Sequence, residues 1–329
     1  MQTRKLGYTD LNLSTVGFGA WAVGGRWDWG WGEQDDAESI AAIHRALDLG
    51  INWIDTAPAY GLGRSEEVVG RALQGRRGQV FLATKCGLVW GDPSTGKVSN
   101  RLQAWSVRKE VEDSLRRLNT DVIDLLQIHW PKPDHEIEEG WGEISRLVSE
   151  GKVRYAGTSN FSIAQLKRAQ AIHPVASLQP EYSLLERGVE KELLAFCAEN
   201  QIGVVAYSPM ASGLLTGKYT RDAFKALPAE DWRNKYNLHF REPEFSANLE
   251  FVEKLGAIAA REGRSLGQLA VAWVLRRPEL TSAIVGSRRP SQIEEIAPAG
   301  DWQLSADTIV EIAGLLAERQ TWIETHPAS

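Results

Sequence analysis

Short apolar runs alternate with segments of helical spacing along most of the chain. In Asp36–Leu49, for example, apolar residues recur every three or four positions, which predicts an amphipathic helix. The intervening runs predict buried parallel strands, since a strand covered on both faces shows a near-continuous apolar sequence. The predicted strands are Thr15–Gly19, Ile51–Ile54, Val80–Thr84, Val122–Ile128, Val153–Gly157, Ala176–Leu178, Gly203–Ala206 and Ser282–Val285. Eight strand–helix units favour a closed (β/α)8 TIM barrel over an open doubly wound sheet.

The pattern departs from this rhythm in two places. Residues 2–14 hold two short segments around a polar turn, which predicts an N-terminal β-hairpin. Ser208–Ser246 is longer than an ordinary connection and predicts a long functional loop after strand seven. Ser65 is expected to cap the helix that follows strand two. No linker or change of composition divides the chain, so residues 1–329 are expected to form a single domain.

Composition narrows the functional classes. The net charge of −6 argues against a nucleic-acid-binding surface. The two cysteines are too few for a disulfide framework or a cysteine metal site. The N-terminal residues are polar, and no stretch approaches the roughly 18 apolar residues of a membrane span. We therefore expect a cytoplasmic protein that binds neither nucleic acid nor membrane.

One glycine motif suggests a cofactor site that the context does not support. Gly17–Ala22 matches G-x-G-x-x-A directly after a predicted strand. The dinucleotide fingerprint also requires a helix to begin there. A loop rich in Gly and Trp follows instead, and the helix begins only near Asp36. A Rossmann site at this position is therefore not expected.

Four polar residues at or near the ends of strands two to four suggest chemistry: Asp55, Tyr60, Lys85 and His129. Taken singly, each is explained as well by a structural role. In a barrel, however, the C-terminal ends of all strands meet at one face. There a lysine can lower the pKa of a tyrosine from its ordinary value of about 10, and an aspartate can fix the lysine. The set holds too few metal ligands and no Ser-His-Asp nucleophile, so a hydride from a cofactor is the missing component.

These motifs resemble the aldo-keto reductase family. Gly50–Gly61 (GINWIDTAPAYG) resembles its first signature and Gly151–Phe161 (GKVRYAGTSNF) its second, while Val285–Glu295 (VGSRRPSQIEE) resembles its adenosine-site segment. The resemblance implies a TIM barrel that reduces aldehydes or ketones to alcohols with NADPH. It implies that Tyr60 is the general acid, that Asp55 and Lys85 tune it, and that His129 orients the substrate carbonyl.

The resemblance also implies the residues that bind the cofactor and the small carbonyl substrate. The expected substrate contacts are Trp21, Tyr60, His129 and Trp130. Independently of the resemblance, the clustered Trp27, Trp29 and Trp31 are expected to roof the substrate pocket. The expected cofactor contacts are Ala20, Trp21, Asp55, Ser159, Asn160, Gln179, Tyr207, Ser208, Pro209, Met210, Ala211, Ser212, Lys218, Gly286, Ser287, Arg288, Gln292 and Glu295.

Gln292 departs from the family pattern. Many members place an arginine there to hold the 2′-phosphate of NADP, and here Arg288 or Arg289 can take that role. NADPH is therefore the expected cofactor, with NADH possible.

Two other functions stay open at this point. The family also includes potassium-channel β-subunits, which the chain resembles in part, so a cofactor-binding redox sensor or partner-binding subunit with little turnover is one alternative. A barrel isomerase or hydrolase that uses Asp55 and His129 without a nicotinamide is another. The chain is expected to act as a monomer.

Overall fold

The computed structural model describes residues 1–228 and 231–326. Its strands are β1 Thr3–Lys5, β2 Asn12–Ser14, β3 Val16–Gly19, β4 Trp53–Asp55, β5 Phe81–Cys86, β6 Leu88–Val89, β7 Ser99–Asn100, β8 Ile123–Ile128, β9 Val153–Ser159, β10 Ser177–Gln179, β11 Gly203–Ala206 and β12 Leu280–Gly286. Its α-helices are α1 Asp36–Asp48, α2 Arg64–Ala72, α3 Ala104–Leu118, α4 Ile137–Ser149, α5 Ile163–Gln170, α6 Leu193–Glu199, α7 Arg221–Lys225, α8 Trp232–Tyr236, α9 Glu244–Arg261, α10 Leu266–Leu275, α11 Pro290–Ile296 and α12 Ala306–Thr325.

Within the described residues, eight parallel strands close into a barrel in the order β3, β4, β5, β8, β9, β10, β11, β12 and back to β3. The order around the barrel follows the order along the chain, and helices lie between successive strands. The predicted (β/α)8 fold is confirmed. The 13-residue helix α1 begins only at Asp36, well after β3, as expected when no Rossmann motif is present.

The barrel interior and the helical layer are two separate apolar clusters. The inner cluster includes Trp53, Ala83 and Leu125, and the predicted hairpin of β1 and β2 adds leucines that cover one end of the barrel. Gly17 is needed for this packing, because a Cβ there would lie 2.1 Å from the Trp53 ring. The outer cluster joins the strands to the helices. Side chains therefore alternate between the inside and outside of the barrel along each strand.

The prediction for Ser65 was wrong. Helix α2 already begins at Arg64, after Gly63 in a left-handed conformation with φ of 104°. Ser65 is instead fully buried, and its hydroxyl donates to the backbone oxygen of Ala20 at 2.8 Å. The serine therefore ties α2 to the segment after β3 at the mouth of the barrel.

The long segment between β11 and α9 packs against α9 and the outer cluster. It contains the short helices α7 and α8, and the rings of Phe224, Phe240 and Phe245 pack against one another with centroids 4.8–5.8 Å apart. Ring contacts of this kind stabilise a segment that has few backbone partners in the barrel. We refer to residues 208–243 as the lid. In the described part of the chain, no helix is long and apolar enough to cross a membrane.

Candidate active site

The alternation of side chains places polar residues on the floor of the barrel mouth. Trp53, Ala83 and Leu125 point inward, so Asp55, Lys85 and Gln127, two residues further along each strand, also point inward. The Lys85 ammonium donates to Asp55 Oδ2 at 2.6 Å and to the Thr56 backbone oxygen at 3.0 Å. Lys85 is 1% exposed, so this ion pair is shielded from solvent.

The same ammonium reaches the phenol. Lys85 Nζ donates to the Tyr60 hydroxyl at 3.1 Å, so it links the carboxylate and the phenol directly. The ring of His129 lies edge-on to the ring of Tyr60, with centroids 5.7 Å apart. The four residues singled out from the sequence are therefore in one cluster at the C-terminal face of the barrel.

The protonation of this cluster follows from its burial and from Lys85. Burial raises the pKa of Tyr60, and the opposing effect of the Lys85 charge does not cancel it. The lysine thus acts in the expected direction, but the net shift of the Tyr60 pKa is upward. For Lys85, burial lowers the pKa, but the Asp55 carboxylate and the Tyr60 phenol outweigh it and the pKa is raised. Burial, aided by Lys85, holds the pKa of His129 well below its usual value, so the imidazole is neutral at neutral pH.

A second group of polar side chains borders the cluster on the side of β9 to β11. Asn160 donates to the His129 backbone oxygen at 3.1 Å and accepts from the Tyr207 hydroxyl at 3.0 Å. The Ser159 hydroxyl donates to the Gln179 backbone oxygen at 2.9 Å. Gln179 in turn donates to Asp55 Oδ1 at 2.9 Å. The segments expected to hold the nicotinamide carboxamide are thus hydrogen-bonded to the catalytic candidates.

A cavity of about 1460 Å³ opens above this floor. Most of the residues expected to bind cofactor or substrate line it. They are Trp21, Asp55, Tyr60, His129, Trp130, Ser159, Asn160, Gln179, Tyr207, Ser208, Pro209, Met210, Ser212, Lys218, Gly286, Arg288, Gln292 and Glu295. Ala20, Ala211 and Ser287 lie behind the wall, each at most 3% exposed, and Lys85 lies beneath the floor. The cavity is larger than a pocket for one small molecule, typically about 300–1000 Å³.

One end of the cavity is suited to phosphate groups. Ser208, Ala211, Ser212 and Gly213 all have left-handed backbone conformations, with φ from 45° to 88°. Successive backbone N–H groups in such turns form concave anion sites. Partial desolvation and the guanidinium groups of Arg233, Arg288 and Arg289 lower the pKa of Lys218, which lies at the same end.

The lid and the segment after β3 (residues 20–35) pack against each other over the cavity through aromatic rings. Trp29 stacks on Tyr236 with centroids 4.8 Å apart, and Trp21 packs against Trp232 at 5.4 Å. The Arg233 guanidinium lies 5.1 Å from the Trp31 ring. The indole N–H groups of Trp31 and Trp232 are buried without a partner among the described residues. Trp27, Trp29 and Trp31 line the cavity, and Trp232 and Tyr236 of the lid line it as well.

Comparison with known proteins identifies the family. The sequence profile described as the Aldo/keto reductase family matches residues 15–317. The chain belongs to this family. Aldo-keto reductase YhdN of Bacillus subtilis is 40% identical over 319 residues, covering 96% of this chain and 94% of the relative. An NADH-specific methylglyoxal reductase of Escherichia coli is 37% identical, covering 93% of this chain and 95% of the relative.

Two further similarities extend across nearly the whole chain. The glycerol dehydrogenase from Gluconobacter oxydans matches the structure with a TM-score of 0.88 and 39% identity, covering 97% of this chain and 96% of that one. A probable voltage-gated potassium channel subunit beta from Arabidopsis thaliana is 33% identical, covering 92% of each chain. The resemblance to both enzymes and channel β-subunits that the motifs indicated is confirmed.

Some cavity residues of this aldo/keto reductase were not found from the sequence. Gln34 and Arg233 line the phosphate end, and Glu181 lines the cavity beside Tyr207. Arg233 lies in the lid, where no periodic pattern indicates which side chains face inward. Gln127 is different, because its position on β8 follows from the same two-residue alternation that placed Asp55 and Lys85.

Proposed function

We propose that this aldo/keto reductase reduces small aldehydes and ketones to alcohols with NADPH. The observation that carries the proposal is the shared ammonium: Lys85 Nζ donates both to Asp55 at 2.6 Å and to the Tyr60 hydroxyl at 3.1 Å, on the floor of a large cavity. This arrangement holds a protonated phenol ready to donate to a carbonyl oxygen.

In the proposed reaction, Tyr60, Lys85 and His129 act on the carbonyl oxygen of the substrate. Tyr60 donates its proton to that oxygen, and the ammonium of Lys85 stabilises the phenolate that is left. His129, neutral because its pKa is held low, orients the same oxygen by a hydrogen bond from its ring. Trp21 and Trp130 form apolar walls beside the site. A reduced nicotinamide supplies the hydride that the carbonyl carbon needs.

The cavity fits a dinucleotide in its chemistry. Ser159, Asn160 and Gln179 present amide and hydroxyl groups next to Asp55, which suit the carboxamide, and Tyr207 offers a ring face for stacking. At the other end, the left-handed turns of 208–213 and the cations suit phosphates. The orphan indole N–H groups in the roof favour an occupant rich in acceptor oxygens.

The choice of NADPH depends on which of two neighbouring arginines, Arg288 and Arg289, is free to bind a phosphate. Arg288 donates from Nε to Gln34 at 2.6 Å, and its backbone N–H donates to Gln292 at 2.8 Å. Arg289 is exposed at the cavity edge, and its guanidinium makes no ion pair within the described residues. A free guanidinium suits the 2′-phosphate of NADPH, which NADH lacks. One relative is NADH-specific by its name, so Arg289 is the residue to test.

Fluorescence titration with both cofactors, followed by a turnover assay with a panel of aldehydes, tests this function. The tryptophans around the cavity make quenching a sensitive signal. We expect tighter binding of NADPH than of NADH, and Arg289→Ala should remove most of that difference, whereas Arg264→Ala, near Trp302 outside the cavity, should not. The absence of binding to either cofactor would overturn the proposal.

The second candidate function is a cofactor-binding sensor or partner-binding subunit with little turnover. The similarity to a potassium channel subunit beta over 92% of the chain favours it. A sensor should retain tightly bound cofactor through purification and turn over slowly with every carbonyl in the panel. A cytoplasmic location and a monomeric state remain part of the proposal, and light scattering of the purified protein tests the latter.

A further inference from the structure

Gln127 lies in the polar floor of the barrel mouth, hydrogen-bonded to Asp55 and Gln179, and takes no direct part in the proposed reaction. It is 0% exposed and does not line the cavity, so it touches neither cofactor nor substrate. It is the direct neighbour of Lys85 across the β5–β8 pair. A fully buried amide needs hydrogen-bond partners, because an unpaired one typically costs about 1–3 kcal/mol.

Its hydrogen-bond partners are Asp55, which accepts from Lys85, and Gln179, which also donates to Asp55. Gln127 Nε2 donates to Asp55 Oδ1 at 3.3 Å, and Gln127 Oε1 accepts from Gln179 Nε2 at 3.3 Å. Gln179 donates to the same Oδ1 at 2.9 Å. The carboxylate of Asp55 thus has one oxygen held by two amides, which leaves the other oxygen directed at Lys85.

The neighbouring strand leaves room for this amide. Gly157 is the register partner of Gln127 on β9. A Cβ at Gly157 would lie 3.0 Å from Gln127 Cγ and 2.3 Å from Ser177 Oγ. The glycine of the segment Gly151–Phe161 therefore allows a long polar side chain to cross the barrel interior and reach Asp55.

We propose that Gln127 is a positioning residue for the proposed reduction: it fixes the Asp55 carboxylate so that Lys85 stays directed at the Tyr60 hydroxyl. The inference rests on the proposed function. All three ammonium hydrogens of Lys85 are used, on Asp55, Thr56 and Tyr60. If the Asp55 carboxylate turns or moves closer to Lys85, the ammonium must follow it. The hydrogen bond from Lys85 to the Tyr60 hydroxyl is then weakened, since the lysine has no spare donor.

Gln127→Met tests this role, because it keeps the volume and removes the amide. In this variant Asp55 loses the amide that donates a hydrogen bond to it. Because its negative charge is then less compensated and acts more strongly on the phenol, the pKa of Tyr60 should rise further. We expect kcat for reduction to fall about tenfold, as for a lost hydrogen bond to a charged group. The alkaline limb of the pH profile should move upward, while the Kd for NADPH, measured by tryptophan quenching, stays within about twofold, since Gln127 lies outside the cavity lining.

Ser177→Ala is the matched control. Ser177 is also 0% exposed on the adjacent strand β10, and its hydroxyl has no partner among the described residues. It should leave the pH profile unchanged. If Gln127→Met does not fold, Gln127→Glu keeps the shape. Burial beside Asp55 should raise the pKa of the new carboxyl, and once it ionises in alkaline solution its negative charge should move the alkaline limb in the same direction.

A readout without turnover separates this inference from the proposed function. The ¹³Cζ signal of labelled Tyr60 reports its hydrogen bond from Lys85 in the protein alone. We expect the signal to shift in Gln127→Met and not in Ser177→Ala. An unshifted signal with an unmoved pH profile would overturn the positioning role. A shifted signal in a protein that reduces no carbonyl would support the positioning role and overturn the proposed function.

Discussion

At the scale of single residues, the site depends on how one lysine is shared. Lys85 could be predicted to approach Asp55, since both follow apolar strands that are neighbours in a barrel. Its contact with Tyr60 depends on the turn after β4, where the Tyr60 N–H donates to Ala57 O at 3.2 Å. The net upward shift of the Tyr60 pKa could not be predicted, because it depends on burial that only the folded site shows.

These pKa shifts predict the pH dependence of the reaction. Tyr60 must be protonated to act as an acid, and its pKa lies above the ordinary value of about 10. His129 stays neutral above its lowered pKa. The rate of reduction at saturating cofactor should therefore change little between about pH 7 and 9 and decline only in more alkaline solution. Alcohol oxidation, in which the phenolate accepts the proton, should instead increase with pH.

Steady-state rates across this range, in both directions, check the prediction. A decline of the reduction rate centred near neutral pH would contradict it, because the raised pKa of Tyr60 and the lowered pKa of His129 place neither proton change there.

At the scale of elements, the lid and the segment after β3 form the roof together. The sequence indicated the segment after β3 as a loop rich in Gly and Trp, and the lid as an unusually long loop. Their pairing, with Trp29 on Tyr236 and Trp21 on Trp232, was not predictable, because contacts between two irregular segments leave no periodic signal. Since the pairs join the two edges of the cavity, we expect them to separate when the proposed dinucleotide is released.

Trp29→Ala tests the roof. An aromatic pair is typically worth about 0.5–1.5 kcal/mol, so its loss should speed NADPH release about 2- to 10-fold. Stopped-flow fluorescence measures the release rate directly. Trp105→Ala is the control, since Trp105 is 57% exposed on α3, away from the cavity. Equal release rates in the wild type and Trp29→Ala would show that the roof does not retain the cofactor.

At the scale of the whole molecule, the sequence predicted the barrel, its hairpin and the position of the lid. The strand prediction succeeded because parallel strands buried on both faces give near-continuous apolar runs, as in Val122–Ile128. Asp55 and Lys85, two of the polar residues that point into the barrel, could be predicted because they stand at strand ends. Gln127 was missed because it lies within the mostly apolar sequence of β8. That the chain forms a single domain stays a prediction.

The central claim is that Tyr60 donates the proton in an NADPH-dependent reduction. Tyr60→Phe removes the hydroxyl that accepts from Lys85 and keeps the ring. We expect kcat to fall by about 10²–10⁴, the usual contribution of a general acid, while the Kd for NADPH stays near that of the wild type. Near-full turnover by Tyr60→Phe, with cofactor bound, would show that Tyr60 is not the general acid.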